Sequence, residues 1–176
     1  MKFADRVGQV PEYLFVQITK EIAKKRAQGI EVVSFGIGDP DLPTPGHALD
    51  ALERASREPA NHRYPESEGL PEFRQAVANW YHRRFEVTLD PESQVMSVIG
   101  GKEAIGHASL CFIEPGTTAL VPDPGYPVYS VGTIFAGGTP YLMPLKEENG
   151  WLPDLGTIPA QVADEARVIW INYPNN

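Results

Sequence analysis

The chain has 176 residues, 42% of them apolar, with 15 basic against 23 acidic side chains and a net charge of −8. That length suits one domain, or a domain and a fragment, with a real core, and three Trp, seven Tyr and seven Phe exclude a disordered chain. No apolar run nears the roughly 18 residues of a membrane span, no basic block offers a surface to nucleic acid or anionic lipid, and the start Met1-Lys2-Phe3-Ala4-Asp5-Arg6 lacks the apolar core of a secretory signal, so a cytoplasmic location is expected.

From about Pro11 to Ala27, Leu14, Ile18 and Ile22 recur at fourfold spacing between charged residues, which predicts an amphipathic helix ended by Gly29. Val32-Val33-Ser34-Phe35 reads as a short strand, and Gly36-Ile37-Gly38-Asp39-Pro40-Asp41 after it is too rich in Gly and Pro for regular structure. Thr44 as N-cap with Pro45 in the first turn opens a helix to about Arg57. A loop through Asn61-His62-Arg63-Tyr64-Pro65 leads to a helix from Pro71 expected to bury Phe73, Val77, Trp80 and Tyr81 along one stripe.

An alternation follows. Val95–Ile99 reads as strand, Lys102–Phe112 as helix, Thr118–Val121 as strand, Val128–Ala136 as helix, Tyr141–Met143 as strand, Ile158–Ala163 as a short helix and Val168–Ile171 as strand. Strands alternating with helices imply an α/β fold, a mainly parallel sheet with helices on both faces. Cys111, in an apolar stretch, reads as a small buried hydrophobe, and His47, His62, His82 and His107 fall singly, without the spacing of metal ligands.

Gly100-Gly101-Lys102-Glu103 joins an apolar strand to a helix start, where free backbone N–H groups and the positive end of the helix dipole suit a phosphate; plain turn chemistry is the competing reading. It is no Walker loop, since Met96 and Glu103 stand where that pattern needs Gly and Ser or Thr, and Asp41 spoils a dinucleotide fingerprint at Gly36-Ile37-Gly38. Pro124-Gly125-Tyr126-Pro127 holds Tyr126 stiffly at a strand's carboxyl end, either to stack a flat ring or to pack on its own loop. Tyr64 is a loop phenol able to reach a phosphate or simply to face water. Lys102 and Lys146 are the lysines nearest these loops, and solvated positions are favoured over a nucleophilic role for both. At the chain's end, Val168-Ile169-Trp170-Ile171 runs into Asn172-Tyr173-Pro174-Asn175-Asn176, which sets amide side chains where open α/β sheets hold their ligands.

Taken in order, Gly36 to Asp41, Tyr64 ahead of Gly69-Leu70-Pro71-Glu72, Gly101-Lys102-Glu103, Pro124 to Pro127 and the terminal Asn172 to Asn176 resemble the pyridoxal-phosphate aminotransferases of class I/II, fold type I, over the whole chain. Tyr13-Leu14-Phe15, Gly38 to Pro45, Asn61 to Pro65 and Glu148 to Asp154 are similar to the bacterial LL-diaminopimelate group of that family. The resemblance implies transfer of an amino group between an amino acid, LL-diaminopimelate in lysine synthesis, and a 2-oxo acid, with pyridoxal 5′-phosphate as cofactor. It implies that Tyr126 stacks on the cofactor ring, that the backbone N–H groups of Gly101 and Lys102 hold the phosphate, and that Asn176 donates its amide to the ring oxygen.

Tyr64 would reach the phosphate of the partner subunit, so that a homodimer shares its active sites. Ile37 and Gly38 would close over the substrate carboxylate, and Tyr13 would line the entrance. By the same resemblance residues 1–44 are an N-terminal arm and part of a small domain, and 45–176 the first part of the cofactor-binding large domain. About four of seven sheet strands are expected, leaving an unpaired apolar edge and a chain marginal in solution. The family's ring-nitrogen Asp, Schiff-base Lys and carboxylate-binding Arg are expected beyond Asn176, so no catalytic residue is assigned here and the chain by itself is expected to be inactive. Aspartate, alanine or aromatic aminotransferases and C–S lyases on the same fold remain alternatives, as does a non-catalytic dimerising fragment.

Overall fold

The computed structural model describes residues 2–36, 38 and 40–176. In chain order the elements are α1 (Leu14–Ala27), α2 (Gly46–Ser56), α3 (Pro71–Phe85), α4 (Gly101–Phe112), β1 (Thr118–Asp123), α5 (Pro127–Phe135), β2 (Thr139–Pro144), α6 (Ala160–Glu165) and β3 (Ala166–Ile169). They form two compact units, Met1–Lys24 with Ile99–Asn176, and Lys25–Val98.

In the first unit β1 lies between β2 and β3 and pairs parallel with both. Every residue of β1 from Thr118 to Pro122 is buried, as the centre of a parallel sheet requires. Helix α5 returns the chain from β1 to β2 and packs on both, and α4 packs against α5. The core is Ile113, Ala119, Val121 and Tyr129, extended by Trp170, whose ring stacks on Tyr129 with centroids 5.0 Å apart and planes 17° off parallel. The two helices approach closely because Gly132 carries no side chain: a Cβ there would stand 2.6 Å from Ser109 Oγ. Ser109 is fully buried on that face. Cys111, two residues and so about 200° further round the helix, is exposed, which corrects the expectation of a buried thiol.

The second unit holds α2 and α3. The N-cap of α2 is Pro45 rather than Thr44, and no side chain caps it. At its other end Asn61 Nδ2 donates to Ala55 O at 2.8 Å and the His62 ring meets Ser56 O at 2.8 Å, so the loop before Tyr64 supplies the carbonyl caps. Helix α3 begins at Pro71 as predicted and ends at Glu86 in the left-handed region. Its expected apolar stripe is not buried: Phe73 is 53% and Trp80 47% exposed, and the residues turned inward are Arg74 and Ala78. Arg74, 6% exposed, donates from Nε to Gly69 O and from Nη1 to Pro91 O, so the helix's inner face serves two backbone turns instead of an apolar layer.

Two predicted strands do not form. Val32–Phe35 and Val95–Ile99 have no ladder among the described residues; Val33 and Phe35 are exposed, and Ser97 N–H makes a single bond to Glu68 O. An apolar run becomes strand only when a neighbour pairs its backbone, so the described sheet has three strands instead of about four. No helix among the described residues is long and apolar enough to cross a membrane.

Candidate active site

Three turns converge at the carboxyl ends of β1 and β3, where open parallel sheets hold ligands. The first is the start of α4. Gly100 is its N-cap, at φ +82°, and Gly101 and Lys102 follow as the first helical residues, whose N–H groups have no partner inside the helix. Positions where a Cβ would stand on Gly100 and Gly101 face open space, so a bulky anion has room to approach the dipole's positive end. The Glu103 carboxylate turns back to accept the Ile99 N–H and lies 3.9 Å from His107 Nδ1.

The second turn follows β1. A Cβ on Gly125 would stand 2.2 Å from the Pro122 carbonyl oxygen, so only glycine allows the tight bend that presents Tyr126 as the N-cap of α5. The Tyr126 ring is half-buried and meets Tyr129 edge to face at 5.9 Å. Burial, with a smaller contribution from Tyr126, raises the Tyr129 phenol above its usual range and keeps it neutral. The third turn is the terminal loop. Asn175 Nδ2 donates to Pro124 O at 2.9 Å, the Tyr173 hydroxyl donates to Trp151 O at 2.8 Å, and Asn176 N–H donates to Asn172 Oδ1 at 2.8 Å. The loop is thereby fastened one residue away from the Gly125 bend.

Lys102 links the first two turns: its Nζ lies 5.3 Å from the Tyr126 ring centroid and 5.4 Å from that of Tyr13. The residue is exposed, as the solvated reading expects, and its ammonium in addition lies over two aromatic rings. Lys146 also fits that reading, exposed and 3.3 Å from Glu148. A cavity of about 460 Å³ opens beside these residues, walled by Val10–Leu14, Lys102, Pro127, Val128 and Val131.

Of the sequence-derived candidates, Gly101, Lys102, Tyr126, Asn176 and Tyr13 lie in this unit, the first four at the converging turns. Tyr64 and Gly38 belong to the other unit, Tyr64 fully exposed on its loop, and Ile37 lies outside the described residues. Sequence reasoning missed Asn175, whose signal was an amide in a loop next to a strand end. It missed the Lys102 side chain for want of any local signal, because Tyr13 is distant in sequence. The arrangement can accept a phosphate at the α4 start, a planar ring at Tyr126 and an acceptor oxygen at the Asn amides, which are the demands of a phosphorylated heteroaromatic cofactor. Among the described residues no group of three His, Cys, Asp or Glu side chains could hold a metal.

A profile of the family aminotransferase class I and II matches residues 30–176. LL-diaminopimelate aminotransferase of Dehalococcoides mccartyi is 57% identical over 176 residues, all of this chain and 45% of that protein, and the enzyme of that name from Moorella thermoacetica is 56% identical with the same coverage. Among solved structures, substrate-bound BacF from Bacillus subtilis superposes with a TM-score of 0.91 at 38% identity, over 100% of this chain and 45% of that one. The chain thus spans about half the length of the curated relatives it matches. The profile match, together with the superposition of the fold, establishes that this chain belongs to the class I and II aminotransferases.

Proposed function

We propose that this chain is part of a pyridoxal-phosphate-dependent aminotransferase that moves an amino group from LL-diaminopimelate to a 2-oxo acid, working in the cytoplasm as a homodimer. The observation that carries the proposal is the meeting of the α4 start, the Tyr126 turn and the Asn175–Asn176 loop at one end of the sheet. The diaminopimelate assignment is supported by the names of the relatives that are 56–57% identical along this chain. Residues 45–176 as the first part of the large domain, and 1–44 as arm and part of the small domain, belong to the same proposal.

When bound, the cofactor supplies an electron sink for charge developing at the substrate's α-carbon. The chain's own residues hold it. Gly101 and Lys102 offer backbone N–H groups to the phosphate, where the helix dipole stabilises its charge. Tyr126 covers one face of the ring and limits its tilt. Asn176 donates an amide N–H to the ring oxygen, keeping that oxygen an acceptor and the neighbouring carbon electrophilic. Tyr64, fully exposed on a loop fastened by Asn61 and His62, is suited to reach the phosphate held by a partner subunit. Tyr13 lines the way in, and the family resemblance assigns recognition of the substrate carboxylate to Ile37, which lies outside the described residues, and Gly38. Neither Lys102, at the phosphate end, nor Lys146, paired with Glu148, is assigned the proton transfer.

The test is the whole protein titrated with pyridoxal phosphate and then offered a panel of amino donors while the cofactor's absorbance is followed. Rapid conversion with LL-diaminopimelate is expected. Rapid turnover of another donor with none of LL-diaminopimelate would overturn the substrate assignment, and failure to bind the cofactor would overturn the whole proposal.

A further inference from the structure

We propose that Lys102 is a positioning residue whose side chain latches the N-terminal segment Val10–Leu14 over the Tyr126 turn. The inference rests on the functional reading above for its significance, but its geometry stands independently. The ammonium lies 5.4 Å from the Tyr13 ring centroid and 5.3 Å from that of Tyr126, within the roughly 6 Å over which a cation is attracted to an aromatic face. One ring belongs to the N-terminal segment and the other to the turn at the end of β1, so a single charge bridges two parts of the chain that are far apart in sequence.

Nothing else described competes for this ammonium. No carboxylate among the described residues pairs with Lys102. The acid nearest Tyr13, Glu12, is engaged within its own segment, accepting from Lys20 Nζ at 3.2 Å and from Gln17 Nε2 at 2.9 Å. Further back, the 3₁₀ turn Asp5–Gln9 packs on α5. The segment is therefore held at two points, on α5 through Asp5–Gln9 and at Lys102 through Tyr13, and the cavity of about 460 Å³ is lined by Val10–Leu14 and Lys102. Pro127, Val128 and Val131 line it as well. If the Lys102 contact is released, residues 10–14 are free to move away and the cavity widens. The same residue thus presents its backbone N–H at the phosphate end and uses its side chain to hold the N-terminal segment in place beside the adjoining hollow.

The test is amide hydrogen exchange of the whole protein without cofactor, read on peptides covering residues 10–16 and on β1. Lys102→Met keeps the aliphatic stem and removes the charge; it is expected to speed exchange in residues 10–16 about two- to fivefold, the worth of one exposed cation–π contact, with β1 unchanged. Lys102→Arg restores protection, and Lys102→Met adds nothing in a Tyr13→Leu background. Equal exchange of residues 10–16 in the Lys102→Met variant and the parent overturns the latch, as does equal acceleration of β1, which would reveal general loosening. Cofactor titration of the parent is read separately: absence of binding there overturns the functional reading, and the exchange result still decides the latch.

Discussion

Replacing Gly125 with alanine adds one carbon at the point where the site can least accommodate it. The new Cβ would stand 2.2 Å from the Pro122 carbonyl oxygen and 3.1 Å from Pro122 Cγ. Carbon and oxygen settle at about 3.3 Å, so the turn must shift by about 1 Å, and it carries Tyr126 with it. Overpacking of this kind costs about 1–3 kcal/mol of stability. Loss of the stacking that an aligned Tyr126 ring gives a bound ring costs about 0.5–1.5 kcal/mol, or about two- to thirteenfold in affinity. A reacting group misplaced by 1 Å costs about a hundredfold in rate. In the whole protein, Gly125→Ala is therefore expected to weaken pyridoxal-phosphate binding by up to about tenfold in an absorbance titration and to lower turnover far more. Tyr126→Leu should match the affinity loss with a smaller loss of stability in chemical denaturation, that of its edge-to-face contact with Tyr129. Parent-like cofactor affinity and turnover in Gly125→Ala would refute the reasoning, because they would mean that the position of Tyr126 does not govern how the ring is held.

Three further outcomes follow from the packing. Gly132→Ala forces a Cβ to within 2.6 Å of Ser109 Oγ between α4 and α5 and is expected to cost about 1–3 kcal/mol in urea unfolding, with part of it recovered by Ser109→Ala; an unchanged midpoint would show that the helices can part freely. Arg74→Ala removes the charged donor from two backbone carbonyls, Gly69 O and Pro91 O, and is expected to cost about 3 kcal/mol by the same measurement and to speed exchange at Gly69 and Ser97. The Ser93 hydroxyl and the Glu92 N–H, in that order, hold the Asp90 carboxyl below its usual range. Because the folded value lies below the unfolded one, this contribution is complete above about pH 4 and fades as pH falls through the folded value. Asp90→Asn should flatten that part of the stability profile in acid, and an unchanged acid slope would contradict it.

Most of the chemistry-bearing turns were legible because their signals are local. Proline at the start of α3, glycine and a dipole at the start of α4, and Gly125 between β1 and α5 each act through the backbone of a few neighbouring residues, so α3, α4, α5 and the three strands fall close to their predicted places. The unbroken apolar run through β1 announced a strand covered on both faces. The failures are non-local. Val32–Phe35 and Val95–Ile99 have strand composition but no backbone partner, and the apolar face of α3 has no cover within the described residues.

Sequence alone therefore determined the kind of element, the order of the turns and the chemistry that each turn offers, since these depend on propensities, caps and donors carried by adjacent residues. Only the tertiary structure decided which of those pieces touch. Packing turned Cys111 outward and Ser109 inward, set Arg74 rather than Phe73 on the inner face of α3, fastened Asn175 to Pro124, and brought the Lys102 ammonium over the rings of Tyr13 and Tyr126. Such contacts join residues far apart along the chain, and the physical reason they escape the sequence is that burial and pairing are properties of two surfaces meeting, whereas a sequence segment describes only one of them.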